Sequence, residues 1–221
     1  MIDQILNLMP ELGKAFWETF QMVGISLSLS LLLGVPIGLL LFITDKGLFW
    51  ENKFFNTAGG ILVNIIRSIP FVILLVILLP LTQKIVKTTI GPLAASVSLS
   101  VAAVVFYARL VEASLREVDE GVIEAATAMG ASIPQTITQV LLVEAMPGLI
   151  RGFTVTAISL IGYSAMAGIV GGGGVGDLAI RFGYYRYQMD VMAVTVVALI
   201  VLVQIVQTLG DYAASKANKE S

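Results

Sequence analysis

The chain has 221 residues, of which 57% are hydrophobic and only 13% charged, with a formal net charge of −2 and a mean hydropathy of +0.92. That composition belongs to a membrane protein and excludes an ordinary soluble domain. The absence of Cys and His removes disulfides, thiol nucleophiles, imidazole bases and the commonest zinc ligands, and no polybasic run draws nucleic acid.

From the N-terminus, Met1 to Phe16 carry Asp3, Glu11 and Lys14 and lack the basic opening of a signal peptide, so the first apolar stretch is expected to stay in the protein. About five spans are expected, over residues 17–44, 54–83, 88–110, 142–176 and 189–212, making one all-α transmembrane domain over 1–221. Four contain uncharged stretches of spanning length: Thr19 to Thr44, Thr88 to Ala108, Gly152 to Gly176 and Val191 to Gly210. Within the first, Gly34-Val-Pro-Ile-Gly38 offers a small-residue packing face. No internal repeat supplies an inverted pair of bundles, so two-fold symmetry must come from a second copy of the chain.

The second span is interrupted by Arg67, Ser68 and Pro70. A buried cation needs a partner or water, and Pro70 frees the carbonyl four residues upstream, so a kinked, polar-lined helix is expected. Two readings stand: the segment faces a translocation cavity, or Arg67 snorkels to the inner interface.

Residues 112–141 break the run of spans with Glu112, Arg116, Glu117, Asp119, Glu120 and Glu124. Asp119 is placed to cap a helix through Ile123, Ala126 and Met129 that ends at Gly130; Ser132 and Gln135 form a capping box around Pro134 for the next helix. Beyond it, Gly162-Tyr163-Ser164-Ala165-Met166-Ala167-Gly168 would let two copies approach closely, with Met166 as candidate constriction; plain helix packing is the competing account. Gly171 to Gly176 follows a span rather than a strand, so it reads as a flexible outer end of that span and not as a nucleotide loop. Asp177, Arg181, Arg186, Tyr184, Tyr185 and Tyr187 then form an outer loop, either a docking surface or an interfacial aromatic belt.

Five spans put the termini on opposite sides. With the C-terminus inside, inner segments hold Lys46, Lys53, Arg109, Arg116, Arg151, Lys216 and Lys219, against Lys14, Lys84, Lys87, Arg181 and Arg186 outside; seven against five favours an outer N-terminus and a cytoplasmic C-terminus.

Glu124-Ala-Ala-Thr-Ala-Met-Gly130-Ala-Ser132 resembles the cytoplasmic Glu-Ala-Ala…Gly signature of bacterial ABC importer permeases, followed by the usual Pro134 and Gln135. The chain reads Leu142-Val143 where that pattern often has Leu-Pro, with Pro147 following. Arg67-Ser-Ile-Pro70-Phe, Ala108-Arg-Leu-Val-Glu112 and Gly162-Tyr-Ser-Ala-Met166 widen the resemblance to methionine transporter permeases. It implies the ABC importer permease fold with a coupling-helix loop in the bacterial inner membrane. It also implies a homodimer joined to two ABC ATPase subunits, and an extracytoplasmic substrate-binding lipoprotein.

On that reading Glu124, Ala125, Ala126, Met129, Gly130, Ala131 and Ser132 face the ATPase. Arg67, Ser68, Pro70, Tyr163, Ser164 and Met166 belong to the pathway for L- and D-methionine. The chain itself would be no enzyme and would carry no cofactor or metal. Other amino acids or small peptides are alternative substrates. An ATP-independent carrier is a further alternative, although Arg67 is the one deep charge and the polar loop would then have no purpose.

Overall fold

A computed structural model describes residues 2–218, with side chains from residue 9 onward. Lys219, counted above among the inner basic residues, and the side chain of Asp3 lie outside that range.

Among the described residues four helices are long and apolar enough to cross a membrane: Met9–Ile43, Pro92–Arg116, Met146–Gly168 and Met189–Ala217. Pro92–Arg116 is the centre of the fold, with 61% of its most apolar window buried, against 11% for Met189–Ala217 at the periphery. The sequence explains the difference. Ala94, Ala95, Ser96, Ser98, Ser100, Ala103 and Ala108 are all buried, and small side chains let neighbouring backbones approach. Gly34 and Gly38 of the first helix complete this contact: a Cβ on Gly38 would stand 2.4 Å from the Ala108 carbonyl oxygen. Ser26, Ser96 and Ser100 are buried between the two helices, and the Ser26 and Ser100 hydroxyls bond back to Met22 and Ser96 carbonyls at 2.8 and 2.6 Å. The polar atoms are thus satisfied within the helix contact.

The expected kinked span over 54–83 is instead broken. Lys53–Ser68 and Phe71–Ile77 meet at 105°, and a further helix, Leu79–Val86, follows. The cause is Pro70. Its ring drives the preceding residue out of helical geometry, and Ile69 is extended at φ −81°, ψ 124°, while its N–H takes the Ile66 carbonyl at 3.2 Å.

The helix Pro92–Arg116 also runs further than the polar composition suggests. Glu112 and Arg116, expected in the loop, lie on it with Arg109, and spacings of three and four residues put all three on one helical face. Glu112 is buried, pairs with Arg109, and accepts from Arg116 Nη2 at 2.8 Å. Arg116 Nη1 reaches across to Asp45 Oδ2 at 2.7 Å, tying the C-terminal end of Met9–Ile43 to that of Pro92–Arg116. The Lys46 backbone N–H and Arg116 hold the Asp45 carboxyl below its ordinary range.

The glycine run is not a flexible end. Gly171 accepts from the Gly91 N–H at 2.9 Å, and Gly172, Gly174 and Gly176 are buried. The Gly174 N–H donates to Glu18 Oε2 at 2.8 Å and the Val175 N–H to Thr19 Oγ1 at 3.0 Å. The run is a tight return that clamps the helix Gly174–Leu178 between the first and fourth spans, and a Cβ on Gly176 would lie 2.2 Å from Ala165 Cα.

Candidate coupling surface and membrane cavity

The polar segment forms the helix Glu120–Ala128, whose first free N–H groups meet the Asp119 carboxylate (Gly121 N to Oδ1, 2.7 Å). It ends at Gly130, where φ is +85°, a left-handed turn that costs an L side chain about 1–2 kcal/mol. The turn lets the Gly130 and Ala131 N–H groups reach the Thr127 and Ala126 carbonyls at 3.0 and 3.1 Å. At the next helix start, the Ser132 N–H and hydroxyl both donate to Gln135 Oε1 at 2.9 and 2.8 Å.

This helix has two faces. Ile123 packs against a buried layer of Val111, Leu115, Val118, Ile137 and Leu141. Glu124, Ala125, Gly130 and Ser132 are exposed, Ala131 is half-buried, and Met129 is 83% exposed. Ala126 is buried, which corrects its assignment to the outward surface: at three residues from Ile123 it shares the docking face and packs the helix onto the protein. The segment Thr136–Leu141 beneath it continues through Leu142–Glu144 to Met146–Gly168. The exposed face is therefore carried on a continuous helical lever that ends in the span Met146–Gly168. Pro147, without an N–H, sits in the first turn of that span, where none is needed, and backbone bonds from Ala145 to Leu141 and from Leu149 to Ala145 at 3.0 and 2.9 Å carry the helix across.

Of the residues assigned to the pathway, Arg67 and Tyr163 meet around one cavity of about 140 Å³, whose lining also includes Phe71, Leu74, Ala102 and Phe106. The Phe71 and Tyr163 rings stack with centroids 4.8 Å apart and planes 10° from parallel. Ser68 and Pro70 flank the break and are exposed, and Met166 is 43% exposed one turn beyond Tyr163. Ser164 does not join them. It is buried and its hydroxyl donates to the Ile161 carbonyl at 2.7 Å, so it is turned into the bundle by the 100° step from Tyr163. Val155, Gly162, Met166 and Ile169 form an exposed stripe on the same helix.

On the opposite side of the fold Asp177 pairs with Arg181 at 3.3 Å. Burial pushes the Asp177 carboxyl up, the Arg181 charge opposes this, and Glu18 adds to the rise. Arg181 and Arg186 lie over the Phe182 ring at 5.1 and 4.4 Å, leaving Tyr184, Tyr185 and Tyr187 exposed.

Reading the residues alone missed Asp45 as the partner of Arg116, and Phe71, Ala102 and Phe106 as neighbours of Arg67. The i, i+3 and i, i+4 spacing signals the Arg109, Glu112 and Arg116 set itself, but nothing local signals Asp45, Ala102 or Phe106.

Residues 30–219 match the model of a family described as "Binding-protein-dependent transport system inner membrane component". A probable D-methionine transport system permease protein, MetI, of Vibrio cholerae is 51% identical over 197 residues, covering 89% of this chain and 88% of that protein. The methionine import system permease protein MetP of Bacillus subtilis is 48% identical over 201 residues, 91% and 90% of the two chains. Among solved structures, a chain of the inward-facing MetNI methionine ABC transporter superposes with a TM-score of 0.94 at 43% identity, over 96% of this chain and 99% of that one. An amino acid ABC transporter with histidines gives 0.80 at 16% identity over 96% and 97%, a likeness of fold.

Proposed function

This chain belongs to the family of binding-protein-dependent transport system inner membrane components, and from that premise we propose that it is the membrane-spanning subunit of an ATP-driven methionine importer. The observation that carries the proposal is the near-complete superposition on a chain of a methionine ABC transporter at 43% identity. The exposed helix Glu120–Ala128, docked on the lever that leads to the fourth span, supports it. In this reading two ATPase subunits receive Glu124, Ala125, Met129, Gly130 and Ser132. Their closure pushes the helix as a rigid body and re-tilts the spans between inward-open and outward-open states. A second copy of the chain meets the exposed stripe through Met166. The N-terminus lies outside and the C-terminus in the cytoplasm, and an extracytoplasmic binding protein docks over Tyr184, Tyr185 and Tyr187.

Reconstituting the chain with its neighbouring ATPase and binding protein in liposomes is expected to give uptake of labelled methionine that requires ATP and all three components. Methionine flux without the ATPase would overturn the reading. The axis can be tested separately, because the natural sequence has no Cys. A Met166→Cys variant is expected to form a disulfide with its twin in at least one nucleotide state, and monomers in every state would remove Met166 from the axis.

A further inference from the structure

Arg67 forms no ion pair with any described residue. Its guanidinium instead lies 6.0 Å from the centroid of the Phe106 ring. Phe106 and Ala102, both on the cavity wall, fall in the middle of the span Pro92–Arg116, and Arg67 itself is about 21 Å along its helix from Lys53 at 1.5 Å per residue. Arg67 is exposed on the protomer at the open side of this cavity, and an unpaired cation at mid-span depth is costly. A positive group held in the membrane with a ring beneath it, and no acidic residue among the lining of its cavity, lacks an anion.

The remaining walls are suited to an apolar, polarisable group. Phe71 and Tyr163 present one stacked pair, Phe106 a further ring, and Leu74 an aliphatic side; a thioether gains from contact with aromatic rings. We propose that this cavity is a transient substrate site within the membrane, where Arg67 takes the α-carboxylate of an amino acid and the Phe71, Tyr163 and Phe106 rings take its thioether side chain. The proposal rests on the importer reading above and names the site that the pathway contains. Because no carboxylate lines the cavity to fix the ammonium, the ligand is held at two points rather than three. Two points do not distinguish mirror images, so the site accepts L- and D-methionine alike. The ring beneath Arg67 and the open side of the cavity keep the site weak, which suits a step that must release its ligand.

The test uses Ala102→Cys in the permease–ATPase complex in nanodiscs, labelled on this chain with a small thiosulfonate. L-methionine, D-methionine and 4-(methylthio)butanoate, which lacks the amine, are expected to slow labelling about tenfold at ten times their half-protecting concentrations, as single-site occupancy requires. Methioninol, which lacks the carboxylate, is expected to leave the rate unchanged. Arg67→Gln is expected to abolish protection and Arg67→Lys to retain part of it. Equal protection by methioninol, no protection by methionine, strong preference for one enantiomer, or protection that survives Arg67→Gln would each overturn the site. If Arg67→Gln does not assemble, the ligand series on the Arg67 protein decides alone. Methionine uptake by the unsubstituted importer with no protection removes only this site, whereas absence of that uptake removes the importer reading itself.

Discussion

Replacing Glu124 with Lys is expected to abolish ATP-driven methionine uptake while leaving the permease inserted and paired with its twin. Glu124 is exposed, and among the described residues it makes no ion pair. Reversing its charge therefore perturbs nothing inside the protomer, and surface substitutions of this kind usually leave stability within about 0.5 kcal/mol. On the proposed reading, any large effect arises where an ATPase subunit meets this face. If that subunit offers Glu124 a basic partner, the Lys places like charges together, which costs several kcal/mol and weakens productive contact by on the order of 100-fold or more. Glu117→Lys, also exposed but outside the helix, is the charge-matched control and is expected to retain most uptake. Gly130→Val reaches the same end by another route, since φ +85° strains an L side chain and re-aims the last turn that carries Met129. Uptake, ATPase activity and dimer content measured together separate uncoupling from misfolding. Undiminished uptake in Glu124→Lys would remove the coupling assignment.

The caps of this helix were legible in the sequence because caps are local. Asp119, Gly130, Ser132 and Gln135 act on backbone groups within three or four residues of themselves, and the structure gives Asp119 and Gln135 those bonds. Apolar stretches of spanning length were legible for the same reason. The orientation of a side chain around its helix was less so: the composition groups Ala126 with Ala125, and Ser164 with Tyr163, but one position is a rotation of 100°, and each pair is divided between core and surface. The break at Ile69 and Pro70 was visible as a proline. Its angle of 105° was not: a proline marks where a helix breaks but not by how much, and the contact just beyond the break, Phe71 on Tyr163, joins residues some ninety positions apart. The glycine run misled for a related reason: glycine is equally suited to flexible ends and to close approach, and only the distant partners Glu18, Thr19 and Ala165 decide which.

Gly162 and Gly176, fourteen positions apart in one glycine-rich stretch, show how far such positions diverge and lead to the second large expected effect. A Cβ on Gly176 would lie 2.2 Å from Ala165 Cα and 2.3 Å from Ala165 Cβ. The obstacle is backbone, so no rotamer change relieves it. Gly176→Val is expected to separate Gly174–Leu178 from the fourth span. Overpacking typically costs about 1–3 kcal/mol and more where backbone must move, so the variant should lose several degrees of thermal stability or fail to accumulate in the membrane. A Cβ on Gly162, by contrast, would have nothing within 4 Å, and this residue faces outward in the stripe with Met166. Gly162→Leu is expected to leave the protomer as stable or more so, since a mid-helix glycine costs about 0.8–1.0 kcal/mol relative to alanine, yet to weaken pairing with a second copy that packs against that stripe. Thermal unfolding in detergent reads the first effect, and cross-linking of the detergent-extracted complex reads the second. Normal pairing by Gly162→Leu would turn the exposed face of the fourth span toward lipid and place the two-fold axis on another helix.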